Sequence, residues 1–451
     1  MADYTAAMAL LEALVDAGVT YLIVNLGSDH PAFLEAFAKW KAGGKINSGV
    51  FQATGRMQAL LVHVDTGTLN MAGAIHNVAR ARIPPESEQI ICKSSKDPQY
   101  DRRIDSLKEF IHYLQDTIDQ RSIMKEYTVF NSEMRTGKNV KQIVLQASQL
   151  AQSVPQGPAY LMGAREVFEE RINPYENNKN HWKQISPAGL SPQSVKTIRE
   201  ALLNAQLPVV VTTYLRRDKE AVAELIRLAE ALGVAVFVPA DSALHEADVI
   251  LVLDSLEQIN TSITAGDDVI SRFKNIQHRV NNLSELHRAY IDSITKETEP
   301  TADDIIMPHF LLSRLCAHLD DNSIILSEAV SNYRAVADTL RCNASDCYYT
   351  SGETTLGWHG GAAIGVKLAE PSKTVVAVTG DGSFLFSIPS TVHWMAEKSR
   401  TPFLTVILNN RRRKVPMLSA MVVHGTDGHS SRRPAVIDAW LTKFDVGDTE
   451  G

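Results

Sequence analysis

Residues 374–410, TVVAVTGDGSFLFSIPSTVHWMAEKSRTPFLTVILNN, constrain the fold more than any other stretch of the chain. A β-branched run at 374–379 stops at Gly380-Asp381-Gly382, an amphipathic segment follows, and a second apolar run at 403–408 stops at Asn409-Asn410. This pattern predicts strand, turn, helix and strand. Two strands joined through a helix lie parallel with a right-handed crossover, which brings their C-terminal ends to one edge of a sheet. Open α/β sheets collect ligands at that edge, and here it would hold Asp381 and Asn410 as near neighbours. A carboxylate and an amide oxygen are hard donors suited to a magnesium ion with phosphate beside it. Gly380 and Gly382 let the backbone approach a diphosphate, and Ser383 adds a hydroxyl or an N–H. The alternative is an ordinary Asp-Gly turn beside an ordinary Asn-Asn loop.

The rest of the chain reads as more of the same α/β alternation. Residues 5–17 have helical apolar spacing, 21–24 read as a strand, and the loop Asn25 to Pro31 holds Gly27, Ser28 and His30 at that strand's end, with Asp29 able to cap a helix at 32–40. A strand at 58–65 precedes a small-residue helix beginning at Gly67; His63, His76 and Asn77 lie around it as site candidates, or as ordinary packed residues. The pattern lapses into polar sequence from 84 to about 104, and 127–163 reads as helix followed by a strand at 159–162. An Asn- and Pro-rich linker at 173–192 marks a boundary. Beyond it come a helix at 195–205 with Ser194 as its cap, strands at 208–213, 234–238 and 249–253, and a helix at 219–232, without a GxGxxG. A less ordered stretch at 257–304 leads to a helix at 308–319 and a strand at 323–327. Ser331 and Asn332 follow that strand, either facing a ligand or capping the helix 333–340. The reading is three α/β domains: 1–170, 190–260 and 300–451.

With 44% hydrophobic and 22% charged residues, 451 residues suffice for two or three cores. A net charge of −7 offers nothing to nucleic acid, and the basic run at 411–414 is short and local. Four cysteines without CxxC spacing indicate neither a zinc site nor a disulfide framework. No signal peptide, transmembrane-length window or peroxisomal address is present, so the expectation is a cytoplasmic protein without a membrane partner.

GDG followed at this distance by NN resembles the cofactor motif of thiamine-diphosphate-dependent enzymes, and the opening domain is similar to that of the acetolactate synthase and benzoylformate decarboxylase group. The resemblance implies three doubly wound parallel-sheet domains, called pyrimidine-binding, central and diphosphate-binding. It implies Mg²⁺ held by Asp381, Asn410 and the main-chain carbonyl of Arg412, although arginines stand where relatives carry glycine after the Asn pair. It places Gly380, Gly382, Ser383, Ser331, Asn332 and Gly352 around thiamine diphosphate, Ser28 toward the substrate, and Leu356 as the bulky residue under the bent cofactor. Glu353 departs from the small residue usual beside it. The implied activity is decarboxylation or carboligation of a 2-oxo acid by a lyase or transferase, in a homodimer or homotetramer.

One part of that chemistry is missing from the sequence. In the family a glutamate of the first domain protonates the pyrimidine, so that the cofactor forms its own base. Here residues 41–55, KAGGKINSGVFQATG, pass directly from helix to loop without a carboxylate, and the stretches 84–104, 240–244 and 424–435 also look cut or rewritten. The alternative function is therefore a non-catalytic paralogue that binds cofactor or an intact subunit without turnover.

Overall fold

The structure, a computed structural model, describes residues 4–19, 21–27, 30–42, 57–63, 65–80, 88–93, 119–186, 189–212, 219–237, 247–253, 269–300, 306–340, 347–350 and 355–409. The chain divides into two compact units, one formed by Met1–Pro187 with Ala302–Gly451 and the other by Ala188–Thr301.

The first unit opens with five parallel strands, β1 (Tyr21–Asn25), β2 (Gln58–Val62), β3 (Glu88–Lys93), β4 (Phe130–Met134) and β5 (Ala159–Ala164), in the order β1-β2-β3-β5-β4. Helices α1 (Ala6–Asp16), α2 (Pro31–Ala42), α3 (Thr66–Arg80), α4 (Val140–Gln152) and α5 (Arg165–Glu169) accompany them. The Thr5 hydroxyl caps α1 by accepting the Met8 N–H. Leu10 and Leu14 of α1 then bury with Phe33, Val144, Leu161 and Phe168 in one core.

Two expectations are corrected here. The polar lapse at 84–104 contains β3, which sits inside the sheet between β2 and β5. The helix expected to lead into β5 is preceded by β4, an edge strand whose residues Phe130 to Glu133 are only half-buried, so the polar sequence FNSEM is tolerated there.

In the second unit, parallel strands β6 (Pro208–Thr212), β7 (Ala235–Phe237) and β8 (Val249–Leu253) lie in the order β7-β6-β8. With them run α6 (Pro192–Asn204), α7 (Lys219–Leu232) and α8 (Val269–Glu297). The cap of α6 is Ser191, whose hydroxyl accepts the Ser194 N–H at 3.0 Å; Pro192 at the helix start displaces the expected cap by three residues. The stretch read as less ordered contains α8, whose Leu283 packs on the sheet and whose Arg279 donates to the carbonyls of Leu202 and Ala205 at the end of α6.

The remaining sheet belongs to the first unit. Its strands β9 (Ser323–Glu328), β10 (Tyr348–Thr350), β11 (Thr374–Gly380) and β12 (Leu404–Leu408) are parallel in the order β10-β9-β11-β12. The accompanying helices are α9 (Pro308–Cys316), α10 (Tyr333–Thr339), α11 (Trp358–Ala369), α12 (Asp381–Phe386) and α13 (Pro389–Ser399). Val376, Val378 and Leu408 face one core with Leu312 and Val336, while Val375 and Ala377 face another with Ala363 and Val366. Burial on both faces explains why β11 reads as a continuous apolar run.

Candidate functional site

The expected strand-helix-strand unit is present, with Gly380 paired opposite Leu408 across β11 and β12. That register sets Asp381 at the sheet edge beside Asn409, the residue after β12. Gly380-Asp381-Gly382 is not a free turn: Asp381 begins α12, with Gly380 as its N-cap. Asp381 and Gly382 are half-buried and Ser383 is buried. A Cβ placed on Gly380 or Gly382 would meet nothing within 4 Å, so the edge is open there.

The loop after β9 comes to the same edge, since Glu328 pairs with Thr379. Ser331 and Asn332 lie half-buried in a 3₁₀ turn, Val330–Asn332. Asn332 occupies the N-cap of α10 but makes no side-chain capping bond.

Glu328 itself, 2% exposed at the end of an apolar strand, has a role the sequence reading missed. Its Oε1 accepts the N–H groups of Gly357 (2.6 Å) and Trp358 (3.2 Å), and its Oε2 accepts the N–H (2.9 Å) and faces the Nδ1 (2.8 Å) of buried His359. The carboxylate thus closes the start of α11, where the helix dipole favours negative charge. The available signal was the lone charge ending SIILSE. Leu356, half-buried, immediately precedes this closure. His359 stacks on Phe384 of α12, which lies 6.4 Å from His393; burial, and then His359, lower the His393 pKa.

The first sheet brings its own candidates to its C-terminal edge. The ring of His63 stands where a Cβ on Gly27 would lie, and buried His30 accepts the Gly27 N–H through Nδ1 at 3.1 Å. Asp65 is buried at φ 43°, and burial raises its carboxyl pKa. His76 packs edge-on against Tyr127 at 5.3 Å. Asn77 reaches across the unit to the segment before α11: its Oδ1 accepts the Thr355 N–H (2.7 Å) and its Nδ2 donates to the Thr355 carbonyl (3.0 Å). Ser28, Gly352, Glu353, Asn410, Arg412 and residues 43–56 lie outside the described residues, and so does the expected strand 436–441. Among the described residues no group of three or more His, Cys, Asp or Glu side chains could hold a metal.

Residues 329–418 match the family described as thiamine pyrophosphate enzyme, C-terminal TPP binding domain. The acetolactate synthase isozyme 1 large subunit of Escherichia coli (strain K12) is 30% identical over 112 residues, 25% of this chain and 20% of that relative, so the match spans a fifth of the relative's length. The acetolactate synthase of Bacillus subtilis (strain 168) is 21% identical over 89% of this chain and 80% of its own length. In structure, a Rhodococcus jostii RHA1 thiamine diphosphate-dependent 4-hydroxybenzoylformate decarboxylase superposes with a TM-score of 0.70 at 18% identity, covering 96% of this chain and 91% of that one. The chain thus resembles the thiamine-diphosphate-dependent enzymes, acetolactate synthase and benzoylformate decarboxylase among them, in its α/β fold, and its residues 329–418 match the C-terminal thiamine-pyrophosphate-binding domain family.

Proposed function

We propose that this protein is a thiamine-diphosphate- and Mg²⁺-dependent decarboxylase or carboligase acting on 2-oxo acids, of the acetolactate synthase type. The observation that carries the reading is Asp381 at the open edge of β11, beside the residue after β12, inside the matched thiamine-pyrophosphate-binding domain. The donor set fits a magnesium diphosphate: a carboxylate at a sheet edge with open space before it, and an Asn332 amide not engaged in capping its helix. Asp381, the Asn410 side chain and the Arg412 carbonyl would hold the metal; Gly380, Gly382, Ser383, Ser331, Asn332 and Gly352 would border the cofactor, Leu356 would support it, and Ser28 would face the substrate. When bound, thiamine diphosphate supplies the electron sink for breaking the bond next to a 2-oxo group. The chain's own part would be to bind the diphosphate end through the metal at Asp381, Asn410 and the Arg412 carbonyl, with Leu356 supporting the cofactor.

Replacing Asp381 by Ala removes the charged ligand, and calorimetric titration with thiamine diphosphate in magnesium buffer should lose its Mg²⁺-dependent signal. Unchanged affinity would end this reading.

A specific observation also favours the non-catalytic alternative: no Asp or Glu occurs between Glu35 and Asp65. General acid-base assistance is worth roughly 10² to 10⁴-fold. We therefore expect the bound cofactor's thiazolium C2 proton to exchange into deuterated buffer little faster than that of free thiamine diphosphate, as measured by quenching and NMR. Fast exchange would show that another carboxylate serves the relay, and the alternative would fall.

The assembly we propose is a homodimer or homotetramer. Its support is the apolar surface immediately after Asp381, where Leu385 is 72% and Phe386 55% exposed, next to exposed Ile388, Trp394 and Met395.

A further inference from the structure

The segment entering α11 is held at almost every backbone donor. Glu328 accepts the N–H groups of Gly357, Trp358 and His359, and Asn77 takes both the N–H and the carbonyl of Thr355. Glu328, His359 and Asn77 are 2%, 1% and 6% exposed, so water does not compete for these bonds. Gly357 adopts φ +92°, and a Cβ there would lie 2.9 Å from the Phe386 carbonyl and the Ser387 nitrogen, so the backbone of α12 closes the third side. On the Asn77 side α3 approaches closely: a Cβ on Gly73 would stand 3.0 Å from the Thr355 Cγ2. Leu356 is the residue between the two held points.

We propose that Asn77 and Glu328 are positioning residues that hold the turn 355–359 in one conformation before any cofactor arrives, and so fix Leu356. The consequence for cofactor affinity rests on the reading of Leu356 as the cofactor support; the rigidity of the turn does not. A charged carboxylate accepting several N–H bonds makes stronger bonds than a neutral acceptor would, and Asn77 presents an amide matched in donor and acceptor to one peptide unit. A turn ordered in advance spares the cofactor the entropy of ordering it, which appears as affinity.

Amide hydrogen exchange on the full, cofactor-free chain tests the clamp directly. In the wild type the amides of Thr355, Gly357, Trp358 and His359 should be protected. Asn77→Leu should speed exchange at Thr355, and Glu328→Ala at Gly357 to His359, by roughly 5- to 10-fold per lost hydrogen bond, while the amides of Val376 to Val378 stay as in the wild type and report that the fold is intact. Asn77→Asp keeps the acceptor for the Thr355 N–H and should retain its protection; Glu328→Gln keeps one acceptor oxygen and should restore part of what Glu328→Ala loses. Titration of the same variants with thiamine diphosphate and Mg²⁺ should show weakened affinity in the order in which the turn loosens. Turn amides that exchange in the variants as they do in the wild type would overturn the proposal; variants whose turn loosens while affinity stays unchanged would overturn its consequence for cofactor affinity. A wild-type chain that does not bind thiamine diphosphate would overturn the functional reading alone, since the exchange pattern decides the clamp without cofactor.

Discussion

Single residues carry strain and charge that the fold has to accommodate, and two of them give sharp tests. Gly357 stands at a left-handed φ with backbone atoms where a side chain would go. Gly357→Ala should cost at least about 2 kcal/mol, the sum of left-handed strain and overpacking, read as a lowered denaturation midpoint; an unchanged midpoint would mean that α12 yields. Asp65 gives a test of sign. Burial raises its carboxyl above the ordinary 3.8, so the folded chain holds that proton to higher pH than the unfolded chain does. The stability this contributes is present below about 3.8 and is lost as pH rises through the raised value. Asn tolerates the φ of 43° and carries no charge, so Asp65→Asn should melt no lower than the wild type at neutral pH, with the difference closing on acidification. A variant that melts lower at neutral pH would show that the carboxylate has a partner the structure does not reveal. Both positions were visible as letters, Gly after Leu356 and Asp before a helix, but the strain of one and the burial of the other come from neighbours distant in the chain.

At the level of elements, legibility followed how regularly each element repeats its apolar residues. β11, β12 and α7 were read within a residue or two because both faces of the strands and one face of the helix are apolar. α8 was missed although its signal exists: Val269, Phe273, Ile276, Val280, Leu283, Tyr290 and Ile294 recur at helical spacing among polar residues. β3 has no such signal, since EQIICK is short and set in charged sequence, and its place between β2 and β5 comes from hydrogen bonds to both neighbours. The tie between α4 and the segment after α5 can be measured. Lys141, 5% exposed, donates to Glu12 Oε2 and to the Tyr175 carbonyl at 2.7 Å each, over the Tyr175 ring. Lys141→Met should cost about 1.5–3 kcal/mol, the range for hydrogen bonds to charged groups, and speed proteolytic cleavage within 172–186. Cleavage at the wild-type rate would show that this segment is held by other contacts.

For the whole molecule the property to measure is assembly. If the apolar surface of α12 and α13 is where two copies meet, the wild type sediments as a dimer or tetramer, and Leu385→Ser with Phe386→Ser shifts it to monomer at unchanged far-ultraviolet circular dichroism. A wild-type chain that sediments as a stable folded monomer would remove that assembly. No helix among the described residues is long and apolar enough to cross a membrane, so this apolar surface is not part of a membrane-spanning helix.

What the sequence determined by itself is the α/β alternation and the place of Asp381, because strand period, glycine punctuation and parallel crossover are local or nearly local rules that together put strand ends on one edge. The resemblance carried by GDG and NN then pointed to thiamine diphosphate, in keeping with the match of residues 329–418 to a thiamine-pyrophosphate-binding domain. Only the tertiary structure decided which polar groups meet at that edge. Asn77 and Thr355 are 278 residues apart in the chain and Glu328 and Gly357 are 29 apart, yet each pair is within hydrogen-bonding distance. No periodicity encodes such pairs. They form because sheet register fixes the strand ends and because a buried carboxylate or amide is too costly to leave without partners, so the fold selects the one backbone segment that satisfies it.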